Sequence, residues 1–140
     1  MSPTPTGPVF FVDRCLGRHV AKMLQQHGLT VKYLDDYFPQ AVEDTDWIPI
    51  VGERGWIVLT KDVNISRNHI ERMAVTQAKL YFFALVSKNL NGDAMAEALV
   101  NASIKIQSIV RKHPSPLIAR VYRDGSVKIW RDCDALNQEI

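Results

Sequence analysis

The sequence predicts an α/β layered sheet, and three observations lead there. The runs "VFFV" at 9–12, "WIVLT" at 56–60 and "LYFFALV" at 80–86 are continuously apolar, as strands buried on both faces are. Segments with apolar residues at helical spacing separate these runs, and strand alternating with helix marks parallel βαβ units. No repeat, low-complexity stretch or internal boundary interrupts the 140 residues, a length that suits one domain.

Taken in order, residues 1–8 read as a flexible arm rich in Pro, Ser and Thr, 9–131 as the domain and 132–140 as a polar tail. The first strand, 9–12, stops at Asp13. In "RCLGRHVAKMLQQHG", Leu16, Val20, Met23 and Leu24 keep helical spacing, and Gly28 closes the segment. "LTVKYL" at 29–34 is the second strand, and "DDYFPQAVED" is a loop. "TDWIPIVGERG" reads as a short helix capped by Thr45 or Asp46, with Pro49 in its first turn, where a missing N–H costs little. After the third strand and the stretch "LTKDVNISRN", "HIERMAVTQ" predicts a helix with Asn68 as its N-cap. The fourth strand leads to a long helix over 91–113 with a stripe of Met95, Leu99, Ala102, Ile106 and Ile109. "LIARVY-RDG-SVKIW" is a hairpin turning at Asp124-Gly125. The expected sheet is parallel in its first four strands with right-handed crossovers, and the hairpin adds antiparallel edge strands.

Composition narrows the function classes. Hydrophobic residues make up 46% and charged residues 23%, as in ordinary globular chains, and the net charge of +2 argues neither for nor against nucleic acid. Cys15 and Cys133 form no CxxC pair, and the four histidines have no zinc spacing, which suits a reducing cytosol. Cys15 reads as a small buried hydrophobe. The N-terminus lacks the charged and apolar regions of a signal peptide, and no apolar run reaches membrane-spanning length, so a cytoplasmic protein without a membrane partner is expected. GxSxG, Walker A and GxGxxG motifs are absent. Arg111, Lys112, Arg120, Arg123, Lys128 and Arg131 gather towards the C-terminus. They read as a solvated helix end and hairpin face in preference to a patch for RNA or an acidic partner.

The chemistry-bearing feature is acidic. Functional groups of open parallel sheets collect at the carboxyl ends of the strands, at the topological switch point. Asp13 ends strand one and Asp62 follows strand three; if those strands are neighbours, about 4.8 Å apart, both carboxylates enter one crevice. Glu43, Asp44 and Asp46 lie where the loop after strand two enters a helix, at the same edge. Converging carboxylates repel unless a divalent cation holds them, and hard oxygen donors suit Mg²⁺ or Mn²⁺. Each residue also has a plainer reading. Asp13 and Asp46 could be helix caps, Glu43 and Asp44 solvated loop charges, Asp35 and Asp36 turn residues. Lys61 could face solvent, and Arg67 could pair with an acid or meet a phosphate.

"FFVDRCLGRHVAKMLQQHGLTVKYLDD" followed by "DTDWIPIVGERGWIVLTKD" resembles the PIN-like ribonuclease domains, above all the compact toxins of bacterial type II toxin–antitoxin systems. The resemblance covers residues 9–70 and implies a three-layer α/β/α PIN-like, Rossmann-like sandwich with a mostly parallel central sheet and the C-terminal hairpin. It implies an endoribonuclease that uses Mg²⁺ or Mn²⁺, an RNA substrate and a cognate antitoxin, and it allows a homodimer. Asp13, Asp46 and Asp62 match the family's acids, with Asp44 or Glu43 as substitutes for Asp46; Asp44 joins the implied metal ligands. Thr60 matches the motif threonine behind the ligands, and Lys61, Arg67 and Arg14 fall on the substrate side. A fourth acid has two candidates without a matching motif, Glu71 and Asp93. The competing expectation is a non-catalytic PIN-like or receiver-like binding module. Receivers pair two acids at the first strand, whereas Val12 and Arg14 flank Asp13.

Overall fold

The computed structural model describes residues 7–61 and 68–139. Six strands form one sheet: β1 (Val9–Val12), β2 (Thr30–Tyr33), β3 (Ile57–Lys61), β4 (Tyr81–Leu85), β5 (Leu117–Val121) and β6 (Val127–Arg131), in the order β2-β1-β3-β4-β5-β6. The helices are α1 (Arg18–Gln26), α2 (Asp44–Glu53), α3 (His69–Gln77), α4 (Gly92–Lys112) and α5 (Cys133–Gln138). Among the described residues no helix is long and apolar enough to cross a membrane.

The continuous apolarity of the strands has the expected cause: both faces are covered. Phe10, Val12, Leu59, Phe83 and Leu85 face a core shared with α1 and α4. Their neighbours Phe11, Val58 and Phe82 face α2, α3 and α5. The result is three layers, helices on both sides of a sheet that is parallel except at one edge.

Two topological expectations are corrected. β5 pairs parallel with β4, so β6 is the one antiparallel strand; the hairpin adds a single reversed edge. The crossovers also do not all share one hand. The steps from β3 to β4 and from β4 to β5 run in the same direction, yet α3 and α4 pack on opposite faces. The α1 and α2 connections agree in hand with α3, so α4 is the exception to the right-handed rule. Its position has a packing reason, since without α4 the wide face carrying Phe83, Leu85, Leu117 and Ala119 would be covered by α1 alone.

Local chemistry explains three further differences. The first predicted helix breaks at Gly17, whose φ of 92° lies in the left-handed region, so Arg14–Leu16 form a 3-10 turn and α1 starts at Arg18. Helix α2 is capped two or three residues earlier than expected, by Glu43 in place of Thr45 or Asp46, which moves Pro49 out of the first turn. The polar tail folds as α5: Asp132 caps it, Leu136 is fully buried, and Glu139 meets Arg72 of α3 at 3.3 Å.

Helices α2 and α3 run side by side, both starting at the carboxyl edge of the sheet. A Cβ at Gly52 would lie 2.8 Å from Ala78 Cβ and closer still to the Ala78 carbonyl oxygen. The absent side chain therefore permits the close approach of the two helices. Gly52→Ala is expected to lower stability by about 1–3 kcal/mol, read as a lower urea midpoint at unchanged slope.

Candidate active site

The order β2-β1-β3 places the switch point between β1 and β3, where ligands of doubly wound sheets bind. A crevice of about 500 Å³ lies there, lined by Asp13, Asp44, Thr60, Lys61 and Glu71 among others.

Asp13 follows the last residue of β1, and its N–H donates to the Leu59 carbonyl at 3.0 Å, extending the β1–β3 ladder by one bond. It precedes the 3-10 turn without capping it through its side chain. The carboxylate instead accepts a 2.8 Å hydrogen bond from Thr60 Oγ1. Thr60 is buried on β3 and also contacts Cys15 Sγ at 3.2 Å. Burial pushes the Asp13 carboxyl above its ordinary range; the Thr60 hydrogen bond opposes that, and the charge of Asp44 reinforces it.

Asp44 is delivered by an aromatic wedge. Phe11, two residues before Asp13, packs at 5.1 Å between ring centroids on Trp47 of α2, a residue that is fully buried. The Trp47 indole N–H donates to Asp44 Oδ1 at 3.0 Å, so the packed ring fixes the carboxylate one helical turn before it. Arg14 holds the preceding loop through Asp35 and the carbonyls of Gln40 and Pro39. That makes it a strut for the loop.

Glu71 enters from α3. Asn68 caps that helix, accepting the Glu71 N–H at 3.0 Å, and its side-chain amide donates to Glu71 Oε2 at 3.2 Å. Glu71 is half-buried, and desolvation, the charges of Asp44 and Asp13, and a hydrogen bond with Asp44 push it up to about 7. Of the two candidates the sequence left for a fourth acid, Glu71 is the one that lines the crevice. Asp93 lies elsewhere, bonded to His19 at 2.7 Å between α4 and α1.

Other predicted residues fall differently. Asp46 does not join the crevice: exposed in the first turn of α2, it accepts the Glu43 N–H at 3.2 Å, closing the helix start. Its register puts Asp44, two residues earlier, on the inward side. Lys61 lines the crevice half-buried, and its N–H donates to Cys15 Sγ at 3.4 Å. Cys15 is not a core residue: it is exposed, with its sulfur turned to the crevice floor, where desolvation and the Asp13 charge raise the thiol. Asp62 and Arg67 lie outside the described residues.

The family profile described as "PIN like domain" matches residues 8–87. The chain belongs to the PIN-like domain family. Those residues run from β1 through β4 and carry Asp13, Asp44, Thr60 and Glu71. The chain is also similar to a Mycobacterium tuberculosis protein named "Putative ribonuclease VapC45", with 29% identity over 124 residues that cover 85% of this chain and 89% of the relative. No solved structure matches.

PIN-like domains imply a divalent metal, and the donor chemistry here fits one. Asp13, Asp44 and Glu71 present hard oxygens, and among the described residues none of the three has a salt bridge. Among the described residues no group of three or more His, Cys, Asp or Glu is arranged to hold an ion by itself. The fit rests on the charge and type of the donors, with Asp62 outside that group.

The raised Glu71 sets a pH dependence. A folded carboxyl near 7 against an ordinary 4.5 means the native state binds more protons across that interval, so stability falls as pH rises through it. In EDTA, Tm is expected to drop from pH 4.5 to pH 7.5. Glu71→Gln should flatten that drop and raise Tm at pH 7.5 by roughly 3 °C, about 1 kcal/mol after allowing for solvent screening.

Proposed function

We propose that the protein is a metal-dependent endoribonuclease of the toxin–antitoxin kind, with Asp13, Asp44 and Glu71 as the described acids of its metal site and Asp62 as a further ligand. The observation that carries this reading is the convergence of three carboxylates, none of them in a salt bridge among the described residues, at the switch point of a PIN-like sheet. The relative's ribonuclease name supports the same activity class.

When bound, Mg²⁺ or Mn²⁺ would supply Lewis-acid activation of water and neutralise charge developing on the phosphate. The chain's own residues prepare that chemistry. Thr60 fixes one oxygen of Asp13 through its hydrogen bond. Trp47 does the same for Asp44. Asn68 orients Glu71, whose pKa near 7 lets it hold or release a proton at working pH. Lys61 gives the crevice a positive group for the scissile phosphate. RNA is the substrate, and a cognate antitoxin is the expected partner.

Asp13→Asn, Asp44→Asn and Glu71→Gln should each cut RNA cleavage in Mn²⁺ by about 100-fold or more, beyond the loss typical of groups behind the ligands. Asp46→Asn should stay within a few-fold of the parent while losing about 1 kcal/mol of cap stability. Mn²⁺ should raise the Tm of the parent and not of Asp13→Asn, and expression should arrest growth in the parent only. Full cleavage by both Asp13→Asn and Glu71→Gln would sink the assignment.

A further inference from the structure

The polar carboxyl edge of the sheet extends past the crevice. β5 lies two strands beyond β3, roughly 10 Å at ordinary strand spacing. The crevice opens on the face that carries Phe82. Ile118 of β5 packs on that same face beneath α3 and α5, and the strand period of two brings Arg120 and then Tyr122 to it. On β6, Lys128 pairs with Arg120, and Trp130, two residues on, packs against the same core.

Cations and rings interleave along this strip. Lys128 Nζ stands 5.8 Å from the Tyr122 ring centroid, and the guanidinium carbons of Arg120 and Arg131 stand 5.3 and 4.1 Å from Trp130. At its upper end, Tyr122, Arg123, Ser126 and Lys128 line a shallow cleft with Val86, the residue that follows β4. Arg123 and Lys128 are exposed and Tyr122 is half-buried. Asp124, the acid in the cleft, accepts the Ser126 N–H at 2.9 Å and also interacts with the Lys128 charge, leaving Arg123 and Lys128 with one acid between them.

We infer that Tyr122, Arg123 and Lys128 form a subsite for single-stranded RNA flanking the scissile bond. Phosphates meet the two cations and a base lies against the ring. The inference rests on the ribonuclease reading above. Its support is charge and continuity. A polyanion with its reacting phosphate in the crevice can leave along the sheet edge, and on the β5–β6 side this cleft is basic and aromatic, whereas Arg14 and Arg18 on the β2 side are paired with Asp35 and Asp36. Rings beside cations suit bases and phosphates together, whereas an acidic polypeptide would use the cations alone.

The test is fluorescence anisotropy of a labelled oligouridylate in EDTA, which separates binding from cleavage. The Arg123→Ala/Lys128→Ala variant should bind at least 10-fold more weakly. The slope of log affinity against log salt should fall by about 1.4, the share of two phosphates on a single strand. Tyr122→Phe should bind like the parent, and Tyr122→Leu more weakly at unchanged Tm. The double variant should keep the Mn²⁺-induced rise in Tm. Absence of that rise in the parent would fail the metal-site reading and leave the binding result standing. Unchanged affinity and salt slope in the double variant overturn the inference. So does equal binding of polyglutamate by the parent, lost in the double variant, which would mark the strip as a surface for an acidic protein.

Discussion

One backbone hydrogen bond, from the Asp13 N–H to the Leu59 carbonyl, prolongs the β1–β3 ladder to the point where the chain must turn away. Everything at the crevice is referred to that bond. It sets the height of Asp13 against Thr60 on the neighbouring strand, and the hydroxyl then selects one carboxylate oxygen. Because both strands are central and covered on both faces, neither end can shift without disturbing a packed core. Parallel pairing brings two strand ends to one edge, and the reversal of strand order between β1 and β3 opens space there.

Helices supply the remaining carboxylates under a different constraint. Asp44 is held through Trp47 on Phe11, so the distance between the first two acids is set by aromatic packing beneath them. Glu71 depends on the cap at Asn68 and on the close approach of α2 to α3 that Gly52 permits. Rigid supports are needed because the acids repel one another. Part of the strain is relieved by protonation, since Glu71 carries its proton up to about 7. A divalent cation taking that place would displace the proton, so metal affinity should strengthen as the pH rises through neutrality.

The sheet was legible in the sequence because buried parallel strands are written as continuous apolar runs, and Asp13 and Thr60 stand at their ends. The loop-to-helix acid was harder to read. "EDTDW" offers acids at three positions, and the one turned inward depends on which residue begins the helix. The mark of Asp44 is the tryptophan three residues later, whose indole N–H is a buried donor in need of an acceptor. Glu71 was masked by its own helix start, since Asn followed three residues later by Glu reads as a capping pattern. The parallel β5 and the position of α4 were illegible for another reason. A helix of 21 residues can cross either face, and the choice rests on which face is left bare by the others.

A net charge of +2 hides a strong separation of charge across one edge. Asp13, Asp44 and Glu71 gather at β1, α2 and α3 with Lys61 and Arg14 beside them, while cations and rings predominate over Asp124 at β5 and β6. Without metal, the crevice repels phosphate and the strip attracts it, so RNA would bind beside the crevice without entering it. On the proposed metal-dependent reading, a divalent ion held by these acids would reverse the sign of the crevice and join the two regions into one favourable path. On this account the metal serves substrate placement as well as chemistry. Binding to the strip alone should need no metal, whereas seating of the reacting phosphate should require it.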